Sequence, residues 1–202
     1  MQIKKTWQRA AMRRAALRYA HRLWPVMPGA YLRQGRYVCG PLCPTVACHP
    51  ALDRWERDAS CDPCDVAQWW ADEPFSVLFV TGGAFDAIEV SNRLGLLVHP
   101  AITGPVIVSP TGRWLFLVAA GDGLRPELDA QLDIVLHGRG SWIPAPPTST
   151  PEGRIRWARS PESTGWTLPA SYAVQAQIVR HLPALGSAPT FSARAGGFLR
   201  AA

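Results

Sequence analysis

Short apolar segments separated by tight-turn signals recur through the middle of this chain. Turn sequences such as Gly82-Gly83, Pro110-Thr111-Gly112 and Gly138-Arg139-Gly140 lie between several of these segments. The pattern predicts strands at residues 76–80, 85–90, 105–109, 113–118, 132–137, 141–145 and 153–158. Short strands with flanking helices are typical of a mixed α/β (α+β) domain with a largely antiparallel sheet.

Helical patterns flank these strands. Residues 4–23 predict an amphipathic helix, and residues 62–74 a shorter one with Asp62 as N-cap and Pro63 in its first turn. The apolar stripe expected on the first helix consists of Met12, Ala16, Tyr19 or Ala20, and Leu23. A helical turn is expected at 124–130, a last helix at 169–182, and a short strand at WPVM, residues 24–27.

We expect one compact domain over residues 1–182. Within it, residues 30–64 form a Cys-rich loop, with 30–63 expected to be irregular, and residues 183–202, rich in Ala, Gly, Pro and Ser, form a flexible tail. No apolar run approaches the roughly 20 residues of a membrane span, and the basic N-terminus lacks the apolar core of a secretory signal. A cytoplasmic protein without a membrane partner is therefore expected.

The positive charge lies at one end of the chain. Residues 1–36 carry nine Lys or Arg and no acid, whereas residues 37–202 carry twelve Lys or Arg and fifteen Asp or Glu. This asymmetry indicates either a polyanionic partner or a solvated helix face. The candidate nucleic-acid-binding residues on the first helix are Arg9, Arg13, Arg14, Arg18 and Arg22.

Cysteines cluster in two neighbouring motifs, CGPLCPTVACHP (39–50) and CDPC (61–64). Five cysteines in a chain without an export signal favour metal ligation or buried thiols over disulfides. Zinc prefers four sulfur or nitrogen ligands in a tetrahedron, and turn-rich loops can wrap around it. We predict a structural zinc held by Cys39, Cys43, His49 and one further cysteine, namely Cys48, Cys61 or Cys64; reduced cysteines without metal are the alternative.

Two carboxylates, Asp86 and Glu89, follow the predicted strand 76–80 in the stretch FDAIEVSN. Because side chains alternate along a strand, these two acids point to opposite faces. A pair of metal ions about 4 Å apart needs carboxylates that converge from one side. The strand alone is therefore a poor two-metal site.

Four segments in this order resemble the primase–polymerase (prim-pol) domain of archaeo-eukaryotic primase type, the N-terminal domain of bifunctional DNA primase/polymerases. They are ALRYAHRLWPVMP, CGPLCPTVACHP, DVAQWWADEPFSVLFVTG and LHGRGSWIPAPPTSTPEGRIRW. The resemblance covers about residues 10–182. It implies a mixed α/β domain with a nucleotide-binding sheet and metal-dependent nucleotidyl transfer.

The resemblance also implies three catalytic motifs, and this sequence departs from each. The acid pair falls on Glu89 and Ser91, the His of the Gly-rich turn falls on Trp114, and the later acid falls on Val135. Three replacements in one site indicate a lost polymerase centre. Trp114 is interpreted as a core residue, with base stacking as the alternative. Glu89 and Asp133 are the candidate catalytic residues if activity persists, and the candidate nucleotide-binding residues are Thr111, Gly112, Arg113, His137 and Arg139.

Three alternative functions are consistent with these sequence features. The first is a stand-alone, catalytically degenerate prim-pol domain that binds nucleic acid or nucleotide in DNA replication or repair, with a replication protein as a further candidate partner. The second is an active primase/polymerase that uses Mg²⁺ or Mn²⁺. The third is a zinc-stabilised protein-interaction module whose basic helix meets an acidic partner.

Overall fold

An antiparallel sheet of five strands forms the centre of the fold. We describe it from a computed structural model, which covers residues 2–40, 43 and 45–185. In order across the sheet, the strands are β12 (Arg156–Arg159), β6 (Val106–Val108), β7 (Trp114–Val118), β5 (Asp86–Val90) and β8 (Val135–His137). Every neighbouring pair in this sheet is antiparallel.

A second antiparallel sheet has three strands. Its order is β1 (Val26–Gly29), β4 (Ser76–Val80) and β9 (Trp142–Pro144). Two hairpins add the pairs β2 (Tyr31–Arg33) with β3 (Arg36–Val38), and β10 (Ser149–Thr150) with β11 (Gly153–Arg154). The helices of the described residues are α1 (Gln2–Ala20), α2 (Trp55–Asp58), α3 (Pro63–Trp69), α4 (Asn92–Val98), α5 (Pro126–Asp129) and α6 (Ser171–His181).

The five-stranded sheet is buried on both faces. Along β7, Leu115 and Leu117 point into a cluster shared with α1 and the three-stranded sheet. The alternate residues Trp114, Phe116 and Val118 point into a second cluster shared with α4 and α6. The period of two along each strand therefore assigns its side chains to two different cores.

The predicted fold class is confirmed, because helices flank largely antiparallel sheets. The predicted N-cap of the second helix is also confirmed, since the Asp62 side chain accepts a hydrogen bond from the Cys64 N–H at the start of α3. Helix α4 was not identified from the sequence, because its seven residues offer only two turns of periodicity.

Four expectations about the elements were wrong. The expected strand 132–137 is paired only at Val135–His137, and Leu132 is fully exposed. The expected strand 153–158 is divided between β11 and β12. The segment 30–63, expected to be irregular, contains β2, β3 and α2. Leu23 does not extend the apolar stripe of the first helix, because α1 ends at Ala20 and Leu23 is exposed with a left-handed φ of 59°.

Among the described residues, no helix is both long enough and apolar enough to cross a bilayer. Leu182–Leu185 forms a 3₁₀ turn after α6. Most of the expected flexible tail, residues 186–202, lies outside the described residues. The domain boundary at residue 182 therefore stays a prediction.

Candidate functional site

Glu89 lies near the end of β5, between β7 and β8. It pairs with Leu115 on one side and with Val135 on the other. Its side chain is on the same face as the buried Ala87, but it is 21% exposed. The carboxylate therefore sits where this face of the sheet opens to solvent.

Both oxygens of Glu89 are bound by side chains of the same chain. Nε of Arg113 donates to Oε1 at 2.6 Å, and Nε2 of His137 donates to Oε2 at 2.7 Å. Burial raises the pKa of Glu89, but the hydrogen bonds from His137 and Arg113 more than offset it, so the pKa lies below its usual range. Glu89 is thus an ionised carboxylate with two charge-assisted partners.

Arg113 connects this carboxylate to the loop before β8. Its Nη2 donates to the Asp133 carbonyl oxygen at 2.8 Å, and its Nη1 lies 4.0 Å from Oδ1 of Asp133. The Asp133 side chain is 82% exposed and lies before the strand, not on it. The two candidate catalytic acids are therefore bridged by an arginine that binds the Glu89 carboxylate closely and the Asp133 carboxylate only at long range.

The turn between β6 and β7 places Arg113 at this site. The Gly112 N–H donates to the Ser109 carbonyl at 3.0 Å, and Gly112 has a φ of 79°, a left-handed conformation that favours glycine. Oγ1 of Thr111 lies 2.7 Å from Oγ of Ser109 at the exposed tip. Thr111, Gly112 and Arg113 are thus brought to the edge beside Glu89.

His137 is fixed from both ring nitrogens. Its Nε2 contacts Glu89, and its Nδ1 lies 3.1 Å from Oγ of Ser141. Ser141 was not singled out from the sequence, although a serine that follows His137 across the tight turn Gly138-Arg139-Gly140 is a readable signal.

Arg139 is exposed at the tip of the turn Gly138-Arg139-Gly140. A Cβ at Gly82 would overlap the Arg139 backbone, so glycine permits this close approach.

Trp114 and Asp86 do not belong to the Glu89 cluster, which consists of Glu89, Arg113, His137 and the Asp133 carbonyl. Trp114 is 7% exposed and lies in the core between the sheet and α4, where its Nε1–H donates to Oδ1 of Asn92 at 2.9 Å. This confirms the core interpretation of Trp114. Asp86 is 3% exposed, and its Oδ2 accepts from the Gly121 N–H at 2.9 Å. The side chain beside Glu89 at the second motif is Arg113, not Trp114.

The Cys-rich loop brings three candidate metal ligands together. Nε2 of His49 lies 3.1 Å from Sγ of Cys43 and 3.3 Å from Sγ of Cys39. Nδ1 of His49 donates to the Ala47 carbonyl at 2.7 Å, which leaves the Nε2 lone pair directed at the two sulfurs. Two thiols and one oriented imidazole could hold a metal ion.

The fold holds this loop at both ends. Cys39 directly follows β3, and the His49 carbonyl accepts from the Ala30 N–H at 2.8 Å. Burial and the neighbouring Cys43 raise the pKa of Cys39 to about 11, whereas a hydrogen bond from Cys39 lowers the pKa of Cys43. In the described part of the chain, Cys48, Cys61 and Cys64 do not join the three-residue group. A fourth cysteine ligand stays a prediction.

The arginines of α1 and of the turn that follows it divide into two classes. Arg9 donates to the Ala71 carbonyl at 2.7 Å, Arg18 pairs with Glu162 at 3.0 Å, and the Arg22 guanidinium lies 5.2 Å from the ring centre of Trp166. Arg13 and Arg14 are exposed, without an ion pair or hydrogen bond among the described residues. The polar side is therefore engaged at Arg9, at Arg18 and after the helix at Arg22, and it is open at Arg13 and Arg14.

Comparison with known proteins identifies the family. The family model described as Prim-Pol, bifunctional DNA primase/polymerase, N-terminal, matches residues 16–173. The chain belongs to this family. The match spans most of the chain and includes the Glu89 cluster, the Cys-rich loop and both sheets. No curated protein matches the sequence.

Membership of the prim-pol family supports a primase/polymerase-like function, with a nucleotide or nucleic acid as the ligand. Within this prim-pol domain, Glu89, Arg113, His137 and the carbonyl oxygen of Asp133 are joined by hydrogen bonds. Among the described residues, the one group of three His, Cys, Asp or Glu side chains close enough to share a metal is Cys39, Cys43 and His49. The Glu89 cluster does not form such a group.

Proposed function

We propose that this prim-pol domain binds nucleic acid or a nucleotide without polymerising it. The observation that carries the proposal is the occupation of both Glu89 oxygens by Arg113 and His137, at 2.6 and 2.7 Å. A catalytic metal ion at Glu89 would have to compete with two basic partners that already bind this carboxylate. A two-metal centre needs several carboxylates that converge on one place, and here one carboxylate faces two basic groups.

The charged side chains around Glu89, near the end of β5, favour binding of an anion over a cation. Arg113 and the imidazole of His137 bind Glu89, Arg139 is exposed on the turn after β8, and the Asp133 carboxylate extends into solvent. Guanidinium groups match phosphate oxygens in geometry as well as charge. We assign phosphate contacts to Arg113, Arg139 and the turn Thr111-Gly112, with His137 as a further donor.

The metal we propose for the Cys-rich loop is a structural zinc ion. The donor set of Cys39, Cys43 and His49 suits zinc, since thiolate and imidazole are its preferred ligands. Sulfur and nitrogen ligands of one tetrahedral zinc lie about 3.5 Å apart, close to the 3.1 and 3.3 Å found here. The ion would close the loop between Cys39 and His49, with Cys48, Cys61 or Cys64 as the candidate fourth ligand.

Primer extension with Mg²⁺ and with Mn²⁺ tests the loss of polymerisation. The expected result is no extension product from the wild type and none from Glu89→Ala. Extension by the wild type that Glu89→Ala abolishes would contradict the proposal and favour the active primase/polymerase, with Glu89 and Asp133 as its acids.

Oligonucleotide affinity measured over a series of salt concentrations tests whether the domain binds nucleic acid. Contacts with phosphates give an affinity that falls as salt rises. Wild-type protein that binds no oligonucleotide at low salt would favour the protein-interaction module instead. The setting we propose is DNA replication or repair, where single strands are exposed, with a replication protein as a second partner.

A further inference from the structure

A groove runs along α1 on the side that faces Trp157 and the Pro146-Pro147 turn. It has a volume of about 210 Å³, and its helical wall is formed by Ala11, Arg14, Ala15 and Arg18. Residues spaced by three, four and seven positions share one face of a helix. The small alanines leave room between the two long basic side chains.

The opposite wall is an aromatic ring in a fixed orientation. Nε1 of Trp157 donates to the Tyr19 hydroxyl at 3.1 Å, and that hydroxyl donates to the Pro146 carbonyl at 2.7 Å. Trp157 is half-buried and packs at its inner side against the core that contains Tyr19 and Phe79. The ring is therefore held in place before any ligand arrives, which lowers the entropy cost of binding.

The charge of the groove is positive. Arg14 is exposed and has no ion-pair or hydrogen-bond partner among the described residues. Arg18 is paired with Glu162, and its guanidinium also lies 5.4 Å from the ring centre of Tyr19. No carboxylate lines the groove in the described part of the chain. An occupant with a planar apolar part and a negative charge fits this composition.

The size of the groove excludes a whole nucleotide or a drug-sized ligand. Such ligands occupy pockets of about 300–1,000 Å³, whereas this groove has about 210 Å³. It fits one planar unit of a longer chain, whose other contacts lie outside the groove. A single-stranded nucleic acid offers such units, because its unpaired bases stack on aromatic side chains while its phosphates meet basic ones.

We propose that this groove binds one unstacked base of a single-stranded nucleic acid, with the base against Trp157 and a neighbouring phosphate on Arg14. The inference rests on the proposed function, because it names where the nucleic acid binds. It adds a base-dependent contact to the phosphate contacts proposed for Arg113 and Arg139, and this contact is at a different place from Glu89.

Filling the groove tests the inference without changing charge. Ala11→Leu places a larger side chain in the groove at an exposed helical position, and Ala10→Leu is the matched control, since Ala10 is exposed on the same helix but does not line the groove. The measurement is fluorescence anisotropy with a labelled oligothymidine and with an abasic oligomer of the same length. Circular dichroism and thermal unfolding check that each variant is folded.

Ala11→Leu should weaken oligothymidine binding at least about fivefold, because one base–aromatic contact is lost. It should leave the salt dependence and the abasic oligomer unaffected, and Ala10→Leu should bind like the wild type. Arg14→Gln should lower the salt slope by about 0.7, as one fewer phosphate of a single strand is neutralised.

The failures of the two proposals are distinguishable. If the wild type binds oligothymidine and Ala11→Leu binds it equally well, the groove does not hold a base, and the proposed function stands. If the wild type binds neither an oligonucleotide nor a nucleoside triphosphate, both proposals fail; if it binds only the nucleoside triphosphate, the groove inference fails and the proposed function stands as nucleotide binding. If Ala11→Leu instead weakens only the binding of a proline-rich peptide, the groove is a peptide site and the inference is overturned.

Discussion

Glu89 and His137 lie on neighbouring antiparallel strands, with Oε2 and Nε2 2.7 Å apart. They are not directly opposite each other, because Ala87 pairs with His137 and Glu89 pairs with Val135. Their contact is therefore a diagonal one on a single face of the sheet, within reach of long side chains. Arg113 approaches the same carboxylate from the turn that leads into β7, so two strands and this turn meet at one ionised group.

Removing the charge of Glu89 should destabilise the fold. In Glu89→Gln, the partners Arg113 and His137 keep their partly buried positions but lose their anion. We expect the free energy of unfolding to fall by about 1–3 kcal/mol, as for other lost hydrogen bonds to charged groups. Urea denaturation measures this. Glu152→Gln, which removes an exposed carboxylate without an ion pair or hydrogen bond among the described residues, is the control and should unfold like the wild type.

The contribution of Glu89 should depend on pH in the acid range. Its pKa in the folded protein lies below the ordinary value of 4.5. The ionised form is therefore favoured by folding, and its stabilisation is present above pH 4.5 and lost as the pH falls through the folded pKa. Urea denaturation at about pH 5 and at about pH 3 should show that the difference in free energy of unfolding between wild type and Glu89→Gln is smaller at the lower pH. A constant gap would mean that the carboxylate does not act through its charge.

The sequence predicted the acids of this site but not their arrangement. Strand periodicity placed Asp86 and Glu89 on opposite faces of one strand, and their environments agree with this. It could not show that Arg113 would bind Glu89, because the two residues are 24 positions apart and meet through strand pairing. Motif matching placed Trp114 at the position of the His, but the side chain that reaches Glu89 is that of the preceding residue, Arg113, because neighbouring residues point to opposite faces of the sheet.

Zinc removal should loosen the Cys-rich loop. We expect protein purified without added metal to contain about one zinc per chain, and chelation to lower the melting temperature. His49→Ala should lose the metal, since it removes the ligand that contacts both Cys39 and Cys43. Each of Cys48→Ser, Cys61→Ser and Cys64→Ser should be measured separately, with at most one expected to lower zinc content. Metal-free protein whose stability a chelator does not change would contradict the assignment.

Gly95 should be intolerant of a side chain, although it lies in a helix. A Cβ there would overlap the ring atoms of Trp114, which packs against α4. Alanine normally favours a helix by about 1 kcal/mol over glycine, but overpacking a core costs about 1–3 kcal/mol. We expect Gly95→Ala to lower the urea midpoint. Gly83→Ala, where no atom lies within 4 Å of the added Cβ, should not.

The buried stripe of α1 up to Ala20 followed from sequence periodicity, whereas the end of the helix and the contacts of its arginines did not. Met12, Ala16, Tyr19 and Ala20 are all buried, as a period of 3.6 residues requires. Periodicity also placed Arg9, Arg18 and Arg22 on the polar side, but their partners Ala71, Glu162 and Trp166 are distant in sequence. Tertiary contacts of this kind cannot be derived from the spacing of one helix.

The two classes of arginine on α1 should differ in how they affect nucleic-acid binding. Arg13→Gln with Arg14→Gln removes two exposed cations and should lower the log–log salt slope for a single strand by about 1.4 if both contact phosphates. Arg9→Gln with Arg18→Gln removes cations that bind the Ala71 carbonyl and Glu162, so the slope should change by less than half as much. The second pair should instead lower thermal stability, because it removes contacts that hold the helix to the segment after α3 and to the 3₁₀ turn Glu162–Thr164. If both double variants lower the salt slope by the same amount, partner contacts do not decide which arginines bind phosphate. If neither variant changes the salt slope, the helix is not part of the binding surface.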